Sequence, residues 1–118
     1  MADKSIQTRQ QKRAQVAYSC VSSRPEKGDE EYIQLAKKFP ALVHTCGIAQ
    51  ATAFVQAKEE KVGKVYLAHL SKVMALPEES ELGEKSRNSN LIEYQRLSYE
   101  AIESATWLKR YAEALLES

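Results

Sequence analysis

Apolar residues recur along this chain at three- and four-residue intervals, and no stretch alternates them with polar ones over a strand's length. Such spacing gathers them on one side of a helix. A first helix is predicted from Ser5 to Ser22, with Ile6, Gln10, Ala14, Ala17 and Val21 on one face and the Ser23–Gly28 stretch ending it. Asp29 then reads as an N-cap, with Glu30 and Glu31 in the first turn, where acids favour the helix dipole. The second helix carries Tyr32, Leu35 and Ala36. It is expected to stop before Phe39-Pro40, because the residue preceding a proline avoids helical backbone.

Pro40 suits the first turn of a third helix, Ala41–Lys58. Leu42, Cys46, Ala49 and Ala53 lie on one side of it, Val43, Gly47 and Phe54 on another, and Ile48, Ala51 and Val55 on a third. A helix apolar all round is expected to be buried all round, which makes this segment the predicted hub. A fourth helix spans Lys64–Leu76, with Tyr66, Leu70 and Val73 inward. Pro77–Ser89, acidic and polar, reads as a mobile connection. The last helix runs from Leu91 to Leu116, opened by a capping box of Asn90 and Glu93. Its stripe of Leu91, Tyr94, Ser98, Ala101, Ala105, Leu108, Ala112 and Leu115 suits antiparallel packing. The expected fold is all-α: a compact single-domain bundle, residues 1–118, of about five helices around a buried central helix.

Composition narrows the function. With 43% hydrophobic and 28% charged residues, a chain of 118 residues can build a core without staples. Seventeen basic against sixteen acidic residues leave a net charge of +1, whereas a free-standing nucleic-acid binder carries a larger excess. Any RNA contact must come from a local patch. Cys20 and Cys46 do not form a disulfide framework and read as reduced thiols, small core residues of a cytoplasmic protein. The polar start MADKSIQTRQQKRA offers no signal sequence, and the longest uncharged run, Ala41–Ala57, is too polar to span a membrane. His44 and Cys46, two apart on a helix, point about 200° apart and cannot pair as nucleophile and base. His69 reads as a helix histidine beside an apolar face. No catalytic residue, metal site or cofactor is expected.

Three segments carry a family resemblance. KKFPALVHTCGIAQATAFVQAK (37–58), LSYEAIESATWLKRYAEALL (97–116) and the opening QQKRAQVAY (10–18) resemble, in order and spacing, the small subunit of type III-B CRISPR RNA-targeting effector complexes, the Cmr small-subunit family. The corresponding type III-A subunit is a less close match over 37–58. The chain is short for the family in its Ser22–Gly28 and Pro77–Ser89 connections. The resemblance implies a non-catalytic structural subunit of an antiviral ribonucleoprotein, stacked in its minor filament. The implied partners are the other subunits, guide RNA and target RNA, with self-stacking of copies. A helical protein–protein adaptor without RNA contact is the alternative.

Several side chains are candidates for these contacts. Arg9 and Arg13 fall within about 60° of Val16 and Cys20 at the rim of the first helix's apolar face. The Arg13 stem packs there, while its guanidinium meets either a glutamate of the same chain or an RNA phosphate. Lys37 and Lys38 close the predicted second helix, where cations also favour the dipole, so an RNA role for them follows from the resemblance. Trp107 sits about 140° from the last helix's stripe, with Tyr111 one turn on. That pair marks either self-packing between two layers or a subunit interface. Lys109 and Arg110 flank it, available to RNA or to the helix dipole.

Overall fold

Thr8 and Gln11 decide where the chain first turns helical. The Thr8 hydroxyl accepts the Gln11 N–H at 3.0 Å, and the Gln11 side chain accepts the Thr8 N–H at 2.8 Å. Two donors that a helix start leaves orphaned are thereby satisfied. The first helix, α1, is therefore Arg9–Ser22. Ser5 and Ile6, included in the predicted helix, lie outside the residues that the computed structural model describes: 7–24, 29–58, 60–77 and 82–117.

The second helix, α2, spans Glu30–Cys46 and passes straight through Pro40. This corrects the expected stop before Phe39-Pro40. Tyr32, Ala36, Phe39 and Val43 follow a four-three-four spacing and are all buried. Burial of that stripe on both sides of the proline offsets the roughly 3 kcal/mol that a mid-helix proline costs.

Gly47 ends α2, and the predicted hub helix is in fact two pieces. Gly47 has φ 84° and ψ 161°, a backbone state open essentially to glycine alone. It closes α2 by donating its N–H to the Val43 carbonyl at 2.8 Å. A new helix, α3, starts at once and runs Ile48–Lys58. Its start is capped from a distance: the Tyr94 hydroxyl accepts the Ala49 N–H at 3.2 Å. Ile48, Ala51, Thr52 and Val55 are buried, but Gln50, Ala53, Gln56 and Ala57 are exposed. The segment is amphipathic rather than buried all round.

The fourth helix, α4, is Glu60–Val73. It stops three residues short of the predicted end because Ala75 turns left-handed at φ 62°. The Leu76 N–H then reaches the Ser71 carbonyl and the Ala75 N–H the Lys72 carbonyl, each at 3.0 Å, the two bonds of a Schellman motif. The predicted loop Pro77–Ser89 holds a short helix, α5, Leu82–Asn88, which buries Leu82, Gly83 and Ser86. A last long helix, α6, covers Leu91–Tyr111 with the expected Asn90–Glu93 capping box, and a π-helical turn, Ala112–Leu116, follows it. The described residues thus form six α-helices and a π turn, an all-α fold with one helix more than expected and no strand.

Helix α6 is the common wall. Lys37 meets Glu117 while Ala49 meets Tyr94, so α2 and the start of α3 run antiparallel to it. Arg13 meets Glu100 and Tyr18 meets Tyr111, so α1 runs parallel to it. Ala101, Ser104, Ala105, Leu108 and Ala112 are fully buried, and the small alanines and serine let both neighbours approach. Between α2 and α4 lies an aromatic cluster: ring centroids are 5.8 Å apart for Tyr32 and Tyr66, and 5.3 Å for Phe39 and Tyr66.

Two substitutions test these breaks in opposite directions. A Cβ at position 47 meets the Tyr94 hydroxyl at 2.6 Å in addition to the forbidden φ. Gly47→Ala is expected to destabilise the fold by about 1–3 kcal/mol in urea titrations. Ala75→Gly relieves a left-handed alanine at an exposed position and is expected to stabilise by about 1 kcal/mol.

Candidate nucleic-acid and subunit interface

A continuous polar seam joins α1 to α6. Arg13 is 6% exposed and donates to Glu100 at 2.5 Å, with Glu103 at 3.9 Å. Arg9, outside on the same carboxylate, donates to the other Glu100 oxygen. Burial pushes the Glu100 carboxyl up, but hydrogen bonds from Arg13 and Arg9 outweigh it and hold the group below its ordinary value. Gln10 continues the seam: its amide donates to Glu103 at 2.7 Å, and its oxygen accepts the Trp107 indole N–H at 2.6 Å. Of the two roles the sequence left open for Arg13, the structure builds the ion pair to a glutamate.

The rings follow from this register. Trp107 stacks on Tyr111 at 5.9 Å and 26°, and Tyr111 and Tyr18 meet edge to face at 5.4 Å. The tryptophan, pointing away from the α6 stripe, is accounted for by α1 lying on that side. Trp107 and Tyr111 are half-buried within the chain, while Tyr18 is 51% exposed and extends the aromatic patch to solvent. Its sequence signal was the four-residue step from Ala14, which the apolar-face assignment passed over.

The remaining cations fall into a second region. Lys37 and Lys38 do not close a helix, since α2 continues to Cys46, and the dipole argument for them lapses. Lys37 instead pairs with Glu117 at 2.8 Å, and Lys38 lies 5.8 Å over the Phe54 ring. Lys37 thereby lies against the segment that follows the last turn of α6, which carries Lys109 and Arg110. Along the antiparallel pair of α2 and α6, Lys37, Lys38, Lys109 and Arg110 belong to the same end. Arg9 and Arg13, at the Glu100 level, lie about 14 Å back along the α6 axis at 1.5 Å per residue.

Two concavities complete the surface. An open groove of about 630 Å³ lies where α1, the end of α4, α5 and the start of α6 meet. Arg9, Lys85 and Arg96 give it positive charge, and Met74, Leu76 and Leu97 give it an apolar floor. Lys85 falls in the segment expected to be a loop, and nothing close along the chain marks Arg96 as facing it across a groove.

A second hollow of about 450 Å³ between α1 and α4 is lined by Val16, Cys20, His69 and Lys72. The Tyr32 hydroxyl and His69 Nδ1 are hydrogen-bonded at 2.6 Å. Burial, with Lys72 and Arg24 nearby, lowers the His69 imidazole from 6.5 to about 4. Burial also pushes the Cys20 thiol up. Both directions run opposite to a thiolate–imidazolium pair. Cys20 is buried as expected, but Cys46 is exposed on the last turn of α2, not a core residue. Among the described residues no group of three or more His, Cys, Asp or Glu is placed to hold a metal ion, and no helix is long and apolar enough to cross a membrane.

Fold and surface define a small all-helical protein whose exposed cations and rings sit on outer helix faces. The comparisons agree on a family. Residues 9–115 match the profile of the CRISPR-associated protein (Cas_Cmr5) family. The CRISPR system Cmr subunit Cmr5 of Thermus thermophilus is 37% identical over 113 residues, covering 95% of this chain and 99% of its own length. The crystal structure of a CRISPR-associated Cmr5 family protein, also from Thermus thermophilus, superposes with a TM-score of 0.82 at 38% identity, covering 93% of this chain and 98% of that one. The chain belongs to the Cmr5 family.

The seam and the buried histidine are separately testable. Arg13→Ala removes the buried, charged donor of a half-buried carboxylate and is expected to cost about 1.5–3 kcal/mol, whereas Arg9→Ala, exposed, leaves the melting temperature nearly unchanged. Because His69 is held neutral, its contribution is complete above pH 6.5 and is lost as pH falls from there to about 4. Relative to His69→Gln, the wild type should lose stability across that window and lose no more below it. A constant difference between the two unfolding curves counts against a buried neutral imidazole.

Proposed function

We propose that this chain is a non-catalytic structural subunit of a type III-B CRISPR effector complex in the cytoplasm, acting in antiviral defence. On this reading its partners are the other subunits, a guide RNA and a target RNA, and copies of it stack in the minor filament. The observation that carries the reading is the family match along nearly the whole chain, together with a relative named as a Cmr subunit. The buried, neutral His69 and protonated Cys20 accord with a role that needs no nucleophile.

RNA contact on this reading is made by charge on the backbone, without reading base edges. Arg110 is exposed and Lys109 half-exposed, and neither makes an ion pair among the described residues. With exposed Lys38 they are the foremost candidates. Arg9 follows, able to turn an exposed guanidinium from Glu100 to a phosphate. Arg13 and Lys37 would have to exchange a carboxylate for a phosphate, which ranks them last.

The test is the salt dependence of RNA binding by the assembled complex. Removing one phosphate contact flattens the slope of log affinity against log salt by about 0.9 for a duplex and less for a single strand. Replacing Lys38, Lys109 and Arg110 together by alanine is expected to weaken binding and flatten the slope without moving the melting temperature. An unaltered slope in that triple variant and in Arg9→Ala would leave the adaptor reading, with no direct RNA contact.

A further inference from the structure

We propose that the groove beside the start of α6 is a docking site for a partner subunit's segment in which an apolar side chain is flanked by carboxylates. The inference rests on the reading of this chain as a subunit of a larger assembly. Leu91 and Ile92, 72% and 71% exposed, are the most exposed large apolar side chains among the described residues, and Ile92 lines the groove. Helix capping does not explain them. The start of α6 is closed by Asn90 and Glu93 in reciprocal hydrogen bonds of 2.9 and 3.2 Å. A hydrophobic staple would use the positions of Ser89 and Tyr94, not the first two helical residues.

Charge selects the flanking groups. The groove's two carboxylates are already engaged: Glu93 accepts the Asn90 N–H, and Glu100 is held by Arg9 and Arg13. Exposed Lys85 and Arg96 form no ion pair among the described residues. What the groove lacks is therefore acidic, above a floor of Met74, Leu76 and Leu97 that takes an apolar anchor. A nucleic acid answers the cations but leaves the two aliphatic side chains in water. The groove also has no aromatic ring on which a base could stack. A protein segment answers both halves of the surface.

The experiment places a benzoylphenylalanine photo-crosslinker at position 92 of the full chain, assembled with the other effector subunits and RNA. The crosslinked peptide is expected to come from a different subunit and to carry Asp or Glu within a few residues of Leu, Ile, Met or Phe. Crosslinks only to RNA, only to another copy of this chain, or to a segment without carboxylates overturn the proposal. In parallel, Lys85→Glu with Arg96→Glu should lower incorporation into the complex at least tenfold, with melting temperature and RNA salt slope unchanged. Replacing the crosslinked carboxylates by lysine should restore it. If the double variant fails to fold, Ile92→Asp replaces it with the same expectation. Wild-type incorporation equalled by these variants sinks the docking site alone. A wild-type chain that does not enter the complex removes the subunit reading and the docking site with it.

Discussion

One carboxylate sets how α1 sits on α6. Glu100 projects from the middle of α6 between Arg9 and Arg13, and a buried guanidinium without an acid would be strongly destabilising. The pair therefore admits essentially one register of α1 on α6. From that register follow the indole bond of Trp107 to Gln10 and the edge contact of Tyr18 on Tyr111. Arg24, bonded to Asp29 at 2.6 and 3.0 Å and lying 5.0 Å over the Tyr32 ring, fastens the other end of α1 to the start of α2.

The second constraint is backbone. Gly47 adopts a conformation that side chains forbid, so α2 cannot continue into α3, and the apolar residues on either side of it serve different faces. Tyr94 reaches across to cap the new helix, which ties the break to the antiparallel packing of α2 on α6. Pro40, the residue that locally argues for a break, lies in the interior of α2 instead. The two exchanged roles because packing of Phe39 and Val43 outweighs one missing hydrogen bond, while no packing contact makes the backbone of Gly47 helical.

For function, these constraints sort the cations. Arg13 and Arg24 hold the fold, Lys37 ties down the segment after α6, and the charges of Lys38, Lys85, Arg96 and Arg110 stay exposed. A near-neutral chain can thus present local positive surfaces, since Asp29, Glu100 and Glu103 are engaged with arginines. The aliphatic pair Leu91 and Ile92 gives one of those surfaces a protein-like character that the others lack.

The sequence by itself determined the all-helical class, the Asn90–Glu93 start of α6, the inward stripes of α2 and α4, and the family resemblance of 10–18, 37–58 and 97–116. Each depends on residues close along the chain, whose spacing is read directly. The stripe Tyr32, Ala36, Phe39, Val43 runs through Pro40 in the sequence itself, although the local preference of the residue before a proline argues against helix there. Tertiary structure alone decided that Gly47 rather than Pro40 is the break, that 82–88 folds as a helix, and that Arg13 meets Glu100. It also decided that Cys46 faces solvent and that Lys85 and Arg96 share a groove. These depend on groups up to about ninety residues apart along the chain, and periodicity reports which face of a helix is buried without reporting what lies against it.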